Sequence, residues 1–148
     1  SLLDCHPAIL ECAGLEADPA RPGRSLWTLG EEPERAVFSE YHAAGAASGC
    51  FMLRQGRWKL IHYTGFDPEL FDLETDPEER ENLAAREPAT VARLMAALRE
   101  VCNPNEIHRR ARASQNALVE AHGGRTAVMR AGAFSGTPAP GDKPVFTA

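Results

Sequence analysis

The sequence lacks the patterns that build cysteine-based metal sites and nucleic-acid-binding faces. Its four cysteines, Cys5, Cys12, Cys50 and Cys102, are scattered, with no C-x-x-C pair and no histidine at zinc-finger spacing. This pattern predicts neither a structural zinc site nor a disulfide scaffold. The net charge is −5, whereas binding to a phosphate backbone needs a clustered basic face. Nucleic acid is therefore not an expected partner.

The sequence also lacks long apolar runs and a leader pattern. No apolar run approaches the roughly 18 residues that a membrane-spanning helix needs, so no membrane partner is expected. There is no initiator Met, and Ser1-Leu2-Leu3-Asp4 leads directly into an apolar helical pattern. We therefore expect upstream sequence to be missing. Localisation stays open, with the cytoplasm favoured over a periplasmic or secreted location.

What is present predicts one α+β core within 148 residues, of which 43% are hydrophobic. Asp4 is a candidate cap for a first helix that ends at Gly14. Four strands are predicted at residues 35–42, 50–54, 58–63 and 69–73, and Gln55-Gly56 is a hairpin signal. Because the connections are short, the strands should form a four-stranded antiparallel meander.

The second half of the sequence is helical. The apolar residues Val91, Leu94, Met95, Leu98 and Val101 recur at helical spacing after Glu87-Pro88, which predicts a helix packed on one sheet face. A further helix is predicted to end at Gly123-Gly124. Residues 124–148 carry three prolines and two glycines between Phe134 and Phe146, which predicts an extended C-terminal arm.

The stretch from Glu69 to Leu83 combines a short strand with a proline turn. Leu70, Phe71 and Leu73 form the apolar part of the strand, and Asp76-Pro77 has the composition of a helix start with the aspartate as N-cap. These residue types predict architecture rather than chemistry.

Two segments of the sequence resemble the formylglycine-dependent sulfatases, which belong to the alkaline phosphatase superfamily. Arg57-Trp58-Lys59-Leu60-Ile61 and residues 69–83 are similar to the family pattern G-R-W-K-Y-I … E-L-Y-D-L-x-x-D-P-x-E-x-x-N-L. Residues 4–15 are similar to D-L-x-P-T-I-L-x-x-A-G-I, with Ala8 in place of the threonine. The resemblance implies the C-terminal portion of a larger α/β enzyme.

The resemblance also implies a domain organisation and an activity. Residues 1–15 would be the last helix of the N-terminal catalytic domain, 16–34 a connecting loop, 35–123 the C-terminal subdomain and 124–148 the arm. The parent enzyme would hydrolyse sulfate esters with formylglycine and a divalent cation, calcium or, in relatives, manganese. Two alternatives stay open: a phosphonate or phosphate monoester hydrolase, and an independent oligomerisation module.

No catalytic or metal-binding residue is predicted within this chain, because the family's C-x-P-S-R segment and its Asp/Asn cluster are absent from the sequence. Polar residues near strand ends are instead predicted to form the rim of a substrate pocket. These rim residues are Glu40, Tyr41, His42, Lys59 and His62, with Lys59 as a candidate contact to an anionic ester. The expected partners are the N-terminal catalytic domain and, through the arm, a second copy of the chain.

Overall fold

The computed structural model describes residues 1–43 and 46–131, and the backbone at 133–134 and 146–147. The chain divides into two compact units, Ser1–Pro104 and Asn105–Ala148. Within the described part of the chain, no helix has the length and apolar character that crossing a membrane requires.

The first unit contains the four-stranded sheet. A 3-10 helix, Leu2–Asp4, leads into α1, Cys5–Cys12, and the strands are β1, Val37–Tyr41; β2, Cys50–Gln55; β3, Trp58–Tyr63; and β4, Glu69–Asp72. Every neighbouring pair is antiparallel and the order is β1-β2-β3-β4, so the predicted meander is confirmed. Gly56 has a φ of +59°, which suits the tight turn between β2 and β3.

The core lies between one face of this sheet and helix α2, Pro88–Val101, which contacts β2 and β3. Alternation along the strands directs one set of side chains toward the helix. Six of the core side chains are completely buried: Phe51, Leu53, Leu60, Leu70, Leu94 and Leu98. Leu94 and Leu98 of the predicted apolar stripe thus cover the sheet, whereas Val101, at the end of the stripe, is 50% exposed.

The second unit contains two helices and one pair of short strands among its described residues. Helix α3, Pro104–Ala121, begins at Pro104, which is the last residue of the first unit. Helix α4, Gly124–Ala131, follows it. The short strands β5, Ala133–Phe134, and β6, Phe146–Thr147, pair antiparallel. The prediction that the extended arm begins at residue 124 is wrong, because Gly123 and Gly124 take positive φ values that end one helix and allow the next to start. Residues 132, 135–145 and 148 lie outside the described residues, so oligomerisation through the arm stays a prediction.

Asp4 does not cap α1 with its side chain, contrary to the sequence-based expectation. Its buried carboxylate accepts hydrogen bonds from the Arg24 backbone N–H at 2.9 Å and from Arg35 Nη2 at 2.8 Å. The first strand was predicted to begin at Arg35. In the structure the Arg35 side chain binds Asp4, and β1 begins at Val37. The carboxylate connects α1 to the loop and to the entry of the sheet.

The predicted helix start at Asp76-Pro77 is also wrong. The segment forms turns, in which the Glu79 N–H donates to the Asp76 carbonyl at 3.1 Å and the Glu81 N–H donates to Asp76 Oδ2 at 2.9 Å. Glu79 has a φ of +56°, a left-handed conformation that a right-handed helix cannot contain. Asp76 still accepts a backbone hydrogen bond, as predicted, but in a loop.

Candidate functional site

One end of the sheet gathers four of the five predicted rim residues. β1 ends at Tyr41, β2 begins at Cys50 and β3 ends at Tyr63, and these three residues lie opposite one another in the register. Glu40, His42 and His62 lie beside them. Because neighbouring side chains alternate between faces, the end of the sheet carries a different set of groups on each side.

The face that packs against α2 carries a group that we call the histidine cluster, Glu40, His42, Phe51 and His62. Phe51 lies between Glu40 and His62 in the register. Its ring is 5.2 Å from the His42 ring in an edge-to-face contact and 6.3 Å from the His62 ring. His42 Nε2 is 3.6 Å from Glu40 Oε2. One buried aromatic ring therefore holds both histidines in place.

Gly49 is what allows His42 to lie so close to β2. A Cβ atom at this position would lie 3.0 Å from His42 Cε1 and 3.0 Å from Phe51 Cε2, closer than such atoms normally approach. Only a residue without a side chain leaves this contact undisturbed.

Burial affects the protonation of this end of the sheet. Desolvation, followed by the nearby Arg99 guanidinium, lowers the pKa of His62, so its imidazole is neutral at physiological pH. Burial, followed by the charge of Glu40, raises the pKa of the Cys102 thiol. A neutral imidazole can both donate and accept a hydrogen bond, which suits contacts to a polar ligand.

The opposite face at the same end carries a hollow of about 610 Å³, which we call the tyrosine hollow. It is lined by Tyr41, Ala46, Ala47, Ser48, Cys50, Tyr63 and Phe66. Tyr41 and Phe66 are exposed, at 52% and 61%. Of the predicted rim residues, Tyr41 alone lines this hollow.

Tyr63 is fixed in the wall of the hollow by its hydroxyl group, which donates to Glu69 Oε2 at 3.0 Å. Burial and this hydrogen bond raise the pKa of Tyr63 to about 12. The ring therefore keeps one position and stays protonated throughout the physiological range.

Lys59 lies toward the other end of β3, paired in the register with Arg54 and Phe71. Its ammonium group binds both carboxylate oxygens of Glu79, at 2.8 and 2.6 Å. The structure does not bring Lys59 together with the other four rim residues, and its predicted role toward an anionic ester stays a prediction.

Sequence reasoning missed the loop residues of the hollow, above all Phe66 and Ser48. The signal that could have found them is the pair of glycine-containing connections on either side of the strands, around Gly49 and Gly65. In the structure the Thr64 N–H donates to the Gly49 carbonyl at 3.0 Å, which joins the two connections.

Comparison with known proteins identifies the family. Residues 1–106 match the model described as N-sulphoglucosamine sulphohydrolase, C-terminal. Arylsulfatase K of Mus musculus is 36% identical over 117 residues, covering 70% of this chain and 21% of its own length. Arylsulfatase K of Gallus gallus is 35% identical over 117 residues, covering 70% and 22%. The chain spans about a fifth of the length of the curated relatives it matches.

Solved structures agree with the sequence relatives. A 2-O GAG sulfatase, BT1596, superposes with a TM-score of 0.56 at 27% identity over 78% of this chain and 26% of its own. BT4656, in complex with its substrate D-glucosamine-2-N,6-O-disulfate, gives 0.55 at 27% identity over 66% and 23%. The four-stranded meander, the α2 cover and these matches together mean that the chain belongs to the N-sulphoglucosamine sulphohydrolase C-terminal family of sulfatase domains.

Proposed function

We propose that this chain is the C-terminal subdomain of an enzyme that hydrolyses sulfate esters of amino sugars. The observation that carries the proposal is the family match over residues 1–106. The glucosamine ring in the names of the family and of the BT4656 substrate supports an amino sugar, and the 6-O-sulfate of the BT4656 substrate supports an ester. The activity belongs to the whole enzyme, of which this chain would form the smaller part.

The described residues do not fit the cofactors that the family implies. In the described part of the chain, no three His, Cys, Asp or Glu side chains converge as a metal site would require. Cys5-His6-Pro7 lacks the serine and arginine of the formylglycine segment. In the parent enzyme, formylglycine would supply the nucleophile and a divalent cation would bind the ester, both outside these residues.

The chain's own contribution is the wall of a substrate pocket. Glu40, His42 and His62 present two imidazoles and a carboxylate at one end of a rigid sheet. Since Phe51 is completely buried and packs against both histidines, the cluster is preorganised. Such groups can position the hydroxyl groups of a sugar without taking part in bond cleavage.

Exposed apolar side chains support the catalytic domain as a partner. Six of the exposed large apolar side chains lie in the first 27 residues, and Leu2, Ile9 and Trp27 among them are 89%, 67% and 70% exposed. Water-exposed apolar groups of this number mark a contact surface. We assign this surface to the N-terminal domain of the same enzyme.

The test of the activity is sulfate release by the matured parent enzyme from glucosamine 6-O-sulfate in the presence of calcium. The same enzyme is assayed with glucosamine 6-phosphate, and the 148-residue chain is assayed alone. We expect sulfate release by the parent enzyme and no turnover by the chain. Phosphate release without sulfate release would contradict the proposal, and so would turnover by the chain alone.

The test of the contact surface is Ile9→Asp, introduced both in the parent enzyme and in the isolated chain. We expect a lower melting temperature in the parent enzyme only, because the charge is exposed in the isolated chain and buried in the complete enzyme. Leu118→Asp, the same kind of change at a position that is 63% exposed and outside the first 27 residues, is the matched control. Equal effects of Ile9→Asp in both proteins would contradict the assignment.

A further inference from the structure

We propose that the tyrosine hollow binds the uncharged ring of a pyranose sugar, as a subsite separate from the one that holds the sulfate group. The inference rests on the proposed function and adds to it a binding position and a ligand class. It is carried by the geometry of Tyr41, Cys50 and Tyr63 and by the chemistry of the lining.

The hollow exists because a small side chain lies between two large ones. Tyr41 and Tyr63 are both register partners of Cys50, on either side of it. Neighbouring strands are about 4.8 Å apart, which separates the two tyrosine backbones by roughly 10 Å. The short Cys50 side chain leaves the space between them open, and Phe66 also lines it. A hollow of about 610 Å³ is large enough to admit a six-membered ring.

The lining favours a neutral ligand with an apolar face and hydroxyl groups. The lining residues carry three aromatic rings, the methyl groups of Ala46 and Ala47, and the hydroxyl of Ser48. No charged side chain lines the hollow among the described residues, so a sulfate group would find no counter-ion there. Pyranose rings present apolar C–H faces with hydroxyl groups at their edges, which matches aromatic walls with a few polar groups.

One wall of the hollow and the turn beside it are held in place by hydrogen bonds. Tyr63 is held by Glu69, and the Phe66 N–H donates to the Tyr63 carbonyl at 3.1 Å, which fixes the turn that carries Phe66. The Thr64 N–H joins the same turn to Gly49 at 3.0 Å. Little side-chain freedom is lost at Tyr63 when a ligand binds, so the contact contributes to affinity.

The histidine cluster lies at the same end of the sheet on the opposite face. Tyr41 and His42 are adjacent in sequence, so the hollow and the histidine cluster meet at this end of the sheet. We infer that the hollow holds a sugar unit of the substrate and that it contributes to the choice between glycans and small sulfate esters.

The first experiment measures steady-state kinetics of the parent enzyme on a 6-O-sulfated glucosamine disaccharide. Tyr41→Ala should raise KM about tenfold with kcat unchanged, because one aromatic contact to the ring is lost. Tyr41→Phe should keep the wild-type KM, because the aromatic ring is retained. Arg54→Ala is the matched control, since Arg54 is exposed on the same sheet face and does not line the hollow.

The second experiment needs no turnover. Calorimetry measures binding of the unsulfated N-acetylglucosamine disaccharide to the parent enzyme, and Tyr41→Ala should weaken it about tenfold while Tyr41→Phe and Arg54→Ala leave it unchanged. Unchanged binding and unchanged KM in Tyr41→Ala would overturn the proposal. A fall in melting temperature without a selective effect on KM would also overturn it, and would assign the hollow to an apolar side chain of the catalytic domain.

The two experiments separate this inference from the proposed function. If the wild-type enzyme releases no sulfate from any sugar, the proposed function fails, and disaccharide binding still decides the role of the hollow. If sulfate is released and Tyr41→Ala behaves as wild type in both measurements, the proposed function stands and the hollow does not bind sugar.

Discussion

At the scale of single residues, two buried carboxylates hold the first unit together. Asp4 is completely buried and Asp72 is 5% exposed. Asp72 accepts hydrogen bonds from Arg57 Nε at 2.6 Å, from Thr75 Oγ1 at 2.9 Å and from the Glu74 N–H at 3.2 Å. Each carboxylate is fully partnered, as a buried charge requires, and each links segments that are distant in sequence.

Asp72 gives the fold a specific dependence on pH. The Arg57 guanidinium lowers the pKa of Asp72 from 3.8 to about 2. A group whose folded pKa is depressed stabilises the fold above its unfolded pKa and loses this contribution as the pH falls through the folded pKa. We therefore expect the stability difference between wild type and Asp72→Asn to be constant above pH 5 and to shrink between about pH 4 and 2.

The measurement is urea unfolding of both proteins from pH 2 to 6. Glu74→Gln is the matched control, because Glu74 is a second partner of Arg57 at 3.0 Å but its side chain is 67% exposed. Its effect should be smaller than that of Asp72→Asn at every pH. A difference for Asp72→Asn that does not change with pH would contradict the assignment.

At the scale of elements, helix α2 stabilises the sheet through two residues. Leu94 and Leu98 have no exposed surface, whereas most of the other α2 positions are partly or fully exposed. Leu94→Ala should lower the free energy of unfolding by about 2–5 kcal/mol, because it removes buried apolar surface and leaves a cavity.

Thermal or urea unfolding of the chain tests this expectation. Leu118→Ala is the control: the same substitution in α3, at a position 63% exposed, should change stability by less than about 0.5 kcal/mol. Equal effects of the two substitutions would mean that α2 does not form the cover of the sheet.

The turn after β4 is a second element whose role can be tested. Asp76→Ala removes the acceptor of the Glu81 N–H and should cost about 1 kcal/mol of stability. In the parent enzyme we expect a lower melting temperature with kcat unchanged. Glu78→Ala, in the same turn but exposed, should leave the melting temperature unchanged. Loss of turnover at full stability would instead identify Asp76 as an active-site residue.

At the scale of the whole molecule, the first unit contains its own core. The completely buried apolar side chains of the described residues all lie between Phe51 and Leu98, within Ser1–Pro104. A protein of residues 1–104 should therefore unfold cooperatively and keep dispersed amide signals in an NMR spectrum. Leu94→Ala in the same truncated protein should cause the loss of stability that is expected in the full chain. Collapse of the NMR signals would show that the second unit is needed for the first to fold.

Much of this architecture was predictable because the patterns are local. The strand alternation, the Gln55-Gly56 hairpin and the apolar stripe of α2 depend on neighbours a few residues away, and all three are confirmed. The family was also predictable, since residues 57–61 and 69–83 carry its pattern. The start of a helix at Gly124 was missed because the prolines that follow it dominated the composition of residues 124–148.

The sequence by itself determined the meander, its helical cover and the family, because hydrophobic periodicity and turn residues act over short distances. Tertiary structure alone decided that Asp4 binds Arg35 instead of capping a helix, and that Lys59 binds Glu79. It also decided that Tyr41 lies across a hollow from Tyr63 while His42 packs on Phe51. These contacts join residues that are 9 to 31 positions apart, and they depend on the packing of side chains from different elements, which no pattern of neighbouring residues encodes.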